Sequence, residues 1–124
     1  MKDYDELTGK VIGCAIEVHR NLGPGMLESA YEKSLSFELS ANNLHHCVQK
    51  ELPIKYKHID LNCGYRIDLL VDNKLIIELK SVEKILPIHE AQLLTYMKLA
   101  NISTGLLINF NVPLLKDGIK RFVL

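Results

Sequence analysis

Tyr65-Arg66-Ile67-Asp68-Leu69-Leu70-Val71 and Leu75-Ile76-Ile77-Glu78-Leu79-Lys80, separated only by Asp72-Asn73-Lys74, decide how this sequence folds. Both runs are rich in Ile, Leu and Val and flank turn-forming residues, so they read as a β-hairpin. They also place an Asp, a Glu and a Lys in segments that otherwise read as buried sheet, where charge is costly unless paired or metal-bound. If Val71 faces Leu75 across a three-residue loop, Asp68 falls opposite Glu78, and Glu78 and Lys80, two apart, share a face. A two-residue loop would send Asp68 and Glu78 to opposite faces. The three-residue loop is therefore expected, with Asn73 or Lys74 in the left-handed conformation.

Two carboxylates at one point repel each other and are hard to ionise together without a cation. Such an oxygen-rich site suits Mg2+ or Mn2+, with the backbone carbonyl of Leu79, between the two site-facing side chains, as a further ligand. Lys80 is then placed to stabilise charge on a phosphate or to help deprotonate a water. Metal, ammonium and water are the parts needed to hydrolyse a phosphodiester. The bland alternative for these residues is an Asp68–Lys80 ion pair on a half-exposed sheet, with Glu78 in solvent.

The chain of 124 residues is long enough for one core and too short for two, so residues 1–124 are expected to form a single domain. Its apolar runs are short and interrupted, so no membrane span is expected. The start, Met1-Lys2-Asp3-Tyr4-Asp5-Glu6, lacks the pattern of a signal peptide, which makes a cytoplasmic location the default expectation. Cys14, Cys47 and Cys63 are odd in number and far apart, which argues against disulfides or zinc and for reduced, partly buried thiols. Fifteen basic and fifteen acidic residues cancel, which argues against tight nonspecific nucleic-acid binding. Local basic clusters remain at Lys50, Lys55, Lys57 and His58, and at Lys116, Lys120 and Arg121.

Leu7, Val11, Cys14, Ala15, Val18 and Leu22 recur at helical spacing and predict a first helix ending before Gly23-Pro24-Gly25. A second helix is expected over 26–42, with Leu27, Ala30, Tyr31, Leu35 and Leu39 inward. Strands are expected over 48–56, where Pro53 marks an edge or an irregularity, over 59–62, and in both arms of the hairpin. Residues 81–87 read as a loop, with Pro87 opening a third helix to about Ala100. Strands over 104–109 and 119–123 complete an α/β domain with a mixed sheet flanked by helices.

A second group of polar residues lies on the helices. Glu28 and Tyr31, three apart, share a face near the start of the second helix, as do Gln92 and Tyr96, four apart on the third. For Glu28 the simple alternative is attraction to the helix N-terminus, and for His19 and His89 it is a capping or surface role. His45, His46 and His58 read as loop residues, and Asn109-Phe110-Asn111 as a source of turn hydrogen bonds.

Gly25, Glu28 and Tyr31 match the pattern G-x-x-E-x-x-Y, and the chain resembles the GxxExxY family over nearly its whole length. The resemblance runs collinearly through Ile16-Glu17-Val18-His19, Asp68-Leu69-Leu70-Val71, Glu78-Leu79-Lys80, Glu90-Ala91-Gln92-Leu93-Leu94-Thr95-Tyr96 and Asn109-Phe110-Asn111-Val112-Pro113-Leu114. That group lies within the PD-(D/E)XK nuclease-like superfamily, which implies a restriction-endonuclease-like core. By resemblance Asp68 and Glu78 are metal ligands, Lys80 is the catalytic lysine, and Glu28 is a helix-borne acid that binds a second metal or orients its water. Gln92 and Tyr96 match a glutamine–tyrosine helix motif that supports the site or contacts substrate, and Tyr31 is expected in a similar supporting role. One departure is Ile67, where the motif has proline. The resemblance implies a Mg2+-dependent nuclease, acting on DNA, with a homodimer or partner protein to help read it. A silent binding or assembly module, or a hydrolase of another phosphate ester, are the competing readings.

Overall fold

A computed structural model describes residues 5–124; Met1-Lys2-Asp3-Tyr4, whose composition entered the expectation about leaders, lie outside the described residues. Helix α1 (Glu6–Leu22) begins where the Asp5 carboxylate accepts the Thr8 N–H at 2.7 Å. It stops at Gly23, whose φ of 67° is costly for any residue with a Cβ. Helix α2 (Glu28–Ala41) and strand β1 (His46–Glu51) follow, then a short hairpin, β2 (Ile54–Tyr56) and β3 (Ile59–Leu61). The hairpin read first in the sequence is β4 (Arg66–Val71) and β5 (Leu75–Lys80). Helix α3 (Pro87–Ala100), β6 (Thr104–Asn109), a 3-10 turn (Leu115–Gly118) and β7 (Ile119–Val123) complete the chain.

Five strands form one mixed sheet in the order β1-β4-β5-β6-β7, with only β5 and β6 parallel; β2 and β3 pair separately. The period-two pattern of the strands divides the core. Leu69, Val71, Leu75, Ile77 and Leu79 pack with Val11, Val18, Tyr31 and Leu35 of α1 and α2. Leu70, Ile76 and Leu107 pack on the other face with Leu93, Tyr96 and Met97 of α3. The α/β expectation with a mixed sheet between helices is met.

Several local expectations are corrected. The strand expected over 48–56 is two strands in different sheets, because the chain leaves the main sheet at Leu52-Pro53 and proline cannot donate to a ladder. The β4–β5 loop does hold three residues, with Val71 opposite Leu75, and Asn73 takes the expected positive φ; the addition is that Asp72 takes it too. Asp and Asn tolerate that conformation through their short polar side chains. Helix α2 spans a narrower range than 26–42, because the extended Leu27 and the non-helical Asn42 are its caps. His46 opens β1 instead of lying in a loop, its ring bonded to Ser36 Oγ and the Leu44 carbonyl. Cys14 is buried, whereas Cys47 and Cys63 are exposed on an edge strand and a loop.

Gly118 lies where an added Cβ would collide with the Asn109 carbonyl oxygen. Gly118→Ala should therefore lower stability by about 1–3 kcal/mol, read as a reduced urea midpoint with an unchanged slope.

Candidate active site

The β4–β5 ladder stops at Leu69–Ile77, one position before Asp68 and Glu78 would pair. The β1–β4 ladder likewise omits Gln49 and Asp68, which lie opposite one another between bonded positions on either side. Asp68 thus occupies a gap in both of its strand's pairings. Its carboxylate fills that gap: Oδ2 accepts the Leu79 N–H at 2.9 Å and Oδ1 accepts from Gln49 Nε2 at 3.3 Å. Alternation also slips here, since Ile67 joins the α3-side cluster with Leu70 although Leu69 faces the opposite way.

Glu78 is buried, 6% exposed, in the otherwise apolar run of β5. Among the described residues its Oε1 has no hydrogen-bond partner. Burial, then the adjacent Asp68 carboxylate, push its pKa up to about 10, while the Lys80 ammonium pulls the other way. A buried carboxyl oxygen without a protein partner is rare, and such an oxygen is suited to coordinating a cation. The bland arrangement, an Asp68–Lys80 ion pair with Glu78 in solvent, is absent among the described residues. Lys80 is half-buried and forms no ion pair or hydrogen bond there through its side chain.

The Leu79 N–H points to β4, and a residue's N–H and C=O project to the same edge of a strand. The Leu79 carbonyl therefore faces the Asp68 side. The Lys80 carbonyl, one residue on, faces β6 and accepts the Phe110 N–H at 2.9 Å. Asp68, Glu78 and the Leu79 carbonyl form an all-oxygen donor set suited to a hard divalent cation.

Tyr96 borders the carboxylates from α3. It is 6% exposed and its hydroxyl accepts from Gln92 Nε2 at 2.9 Å. Burial raises its pKa, opposed by the Gln92 hydrogen bond and reinforced by the nearby Glu78 and Asp68 charges. Tyr65, 45% exposed, meets the Tyr96 ring edge-on at 6.2 Å.

The α2 residues separate in the structure. Tyr31 is fully buried and stacked on Phe110 at 4.3 Å. Its hydroxyl donates to the Gly23 carbonyl at 2.6 Å and accepts the Met26 N–H at 3.1 Å, tying down the glycine–proline turn. Ser81 Oγ donates to the Met26 carbonyl at 2.6 Å, so this turn lies against the residue after Lys80. Glu28 is exposed in the first turn of α2, and no three His, Cys, Asp or Glu side chains form a metal-ready group among the described residues. Glu32, one turn further along, accepts from Gln49 Nε2 at 2.9 and 3.1 Å, the same nitrogen that reaches Asp68.

His19 bonds the Val112 carbonyl at 2.8 Å, and His89 Nδ1 accepts the Leu86 N–H at the start of α3. Sequence reasoning overlooked Gln49, Glu32 and Ser81. For Asn109 the sequence offers turn hydrogen bonds and a place in the family resemblance, but no partner. Beside Lys80 in the parallel ladder, its buried amide accepts the Val82 N–H and donates to the Val82 carbonyl, fixing the chain as it leaves the site.

A five-stranded mixed sheet between helices, with an acidic pair and a lysine where an antiparallel hairpin opens, defines a nuclease-like α/β protein. A profile of the PD-(D/E)XK nuclease superfamily matches residues 5–122, and the chain belongs to that superfamily. Neither a curated protein nor a solved structure matches it.

Two outcomes follow from this geometry. The folded state holds the Glu78 proton more tightly than the unfolded chain does. Metal-free stability should therefore be full below about pH 4.5, the ordinary glutamate value, and fall as pH rises toward 10. The loss by neutral pH should be on the order of a few kcal/mol, and Glu78→Gln should flatten the profile; urea titrations in chelator measure both. Tyr31→Phe keeps the ring stack but strands two backbone groups, so it should cost about 1–3 kcal/mol by thermal denaturation.

Proposed function

We propose that this protein is a divalent-metal-dependent nuclease, with DNA as its substrate, in the GxxExxY group of its superfamily. The observation that carries the reading is the buried Glu78 oxygen without a partner, held beside Asp68 where the strand ladder opens. Members of the superfamily generally use divalent metals, and this donor set fits one. Asp68, Glu78 and the Leu79 carbonyl would hold Mg2+ or Mn2+. When bound, the cation supplies Lewis-acid polarisation of a phosphoryl oxygen and lowers the pKa of a coordinated water.

The chain's own residues divide the remaining work. The Leu79 N–H and Gln49 fix the Asp68 carboxylate so that its lone pairs face a constant direction. Lys80, whose side chain forms no ion pair or hydrogen bond among the described residues but whose charge reaches Glu78, balances charge on the phosphodiester and positions the attacking water. Tyr96, held by Gln92, walls the α3 side and limits water around Glu78. Glu28, exposed in the first turn of α2, would orient a water or take part in a second metal position, and Tyr31 would support it by holding the turn before α2. A homodimer or a partner protein would add the recognition surface that a chain of zero net charge needs on DNA.

The test is cleavage of single- and double-stranded DNA and RNA with Mg2+ or Mn2+. Wild type should cut DNA; Lys80→Ala should lose at least about a hundredfold while keeping its metal affinity by calorimetry, and Glu78→Ala should lose both. Metal binding without cutting would shift the reading to another phosphate ester. Neither binding nor cutting would leave an assembly module.

A further inference from the structure

The β2–β3 hairpin is not needed by the core. It has its own two-stranded sheet, and no residue from Ile54 to Leu61 is buried. A two-stranded hairpin is at best marginally stable in water. Yet this one exposes two large apolar side chains at its tip, Tyr56 (59%) and Ile59 (61%), directly opposite each other. Lys57 takes a positive φ of 58° in the two-residue turn between them, a conformation that disfavours side chains. Its ammonium lies 5.4 Å from the centre of the Tyr56 ring.

The surrounding charge is lopsided. Residues 50–66 hold four Lys and Arg against two acids, with His58 at the tip, in a chain whose total is zero. The two acids there are taken up in exposed ion pairs at 3.8 Å, Lys55–Asp60 and Arg66–Glu51, which leaves the positive excess on Lys50 and Lys57. Lys50 and Lys57 form no ion pair among the described residues.

The hairpin is also continuous with the candidate active site. The Leu52 N–H donates to the Tyr65 carbonyl at 2.9 Å, closing its base, and Tyr65 contacts Tyr96 beside the carboxylates. A groove of about 280 Å3 runs along that base, lined by Leu52, Pro53, Leu61 and Tyr65 together with the ion-paired Glu51 and Asp60.

We infer that the β2–β3 hairpin is an arm that holds an unpaired nucleic-acid strand, stacking bases on Tyr56 and Tyr65 while Lys57 and Lys50 meet phosphates. Exposed aromatic faces interleaved with cations are the chemistry of sequence-tolerant single-strand binding, since unstacked bases offer π faces that a duplex hides. The inference rests on the nuclease reading and adds to it the form of the substrate: a single strand, or a frayed end, led from the arm past Tyr65 to Glu78.

The experiment is fluorescence anisotropy of a labelled oligothymidylate and of a blunt duplex of equal length, with the full chain in chelator so that binding is read without cleavage. Wild type should prefer the single strand. Tyr56→Ala should weaken binding at least about fivefold and Tyr56→Trp should retain it. Lys57→Glu should reduce the slope of log affinity against log salt by at least about 0.7. These side chains are exposed, so an unchanged circular dichroism spectrum checks the fold.

Equal affinity for the duplex, variants that bind like wild type, or no binding by wild type would each overturn the inference. So would a Tyr56→Ala protein whose only change is its oligomeric state by light scattering, which would make the arm a contact between copies. Metal-dependent cutting that is lost in Glu78→Ala, alongside arm-independent binding, overturns the arm and keeps the nuclease. Arm-dependent binding without any cutting overturns the nuclease and keeps the arm.

Discussion

A single hydrogen bond, from the Leu79 N–H to the Asp68 carboxylate, sets the form of the site. In an uninterrupted antiparallel pair that N–H would be spent on a backbone carbonyl of β4, and the strands would stay closed. Giving it to a side chain ends the ladder at Leu69–Ile77 while keeping the donor satisfied. On its other flank β5 remains paired with β6 as far as Lys80–Asn109, so the opening is one-sided. The result is a rigid strand carrying Glu78 and Lys80 along the wall of a gap whose far side is Asp68.

Two clasps hold the ends of this arrangement. On the α2 side Tyr31 and Ser81 gather the turn around Met26 against the end of β5. On the β6 side the Asn109 amide pairs with both backbone groups of Val82, as a neighbouring strand would. Neither clasp touches the carboxylates, but together they leave the segment around Lys80 few alternatives. Catalytic geometry commonly depends on such supporting contacts, because small displacements at the reacting centre are expensive.

The large-scale fold was legible because it depends on period and punctuation. Alternating apolar residues, one three-residue loop and the Gly23-Pro24-Gly25 break were enough to place the hairpin, both flanking helices and the crossover through α3. The acidic pair could be read for the same reason: a charge in a buried strand has few explanations. What escaped depended on tertiary contact. Gln49 and Glu32 sit at positions that sequence marks as surface, and only the folded sheet brings them toward Asp68. The positive φ of Gln49, 53°, has no sequence signal, since glutamine is not a residue chosen for that conformation. Helical spacing groups Tyr31 with Glu28, yet three positions leave the two side chains about 60° apart around the helix, enough at the edge of a buried stripe for one to be buried while the other stays in solvent. The break at Leu52-Pro53 had a visible cause, but proline alone did not tell an irregular strand from two strands in separate sheets.

The closure of the β2–β3 segment by the Leu52–Tyr65 bond bears on how proteins of this shape diverge. Twelve residues, 53–64, leave and rejoin the main sheet at two points one hydrogen bond apart, so the excursion is an appendage in the topological sense. The entropic cost of such a loop grows only slowly with its length. Lengthening, trimming or replacing it would leave the register of β1 on β4 intact, and with it the gap that exposes Asp68. Descendants of one such domain could therefore acquire different targets by exchanging a surface module, without re-evolving the chemistry beneath it.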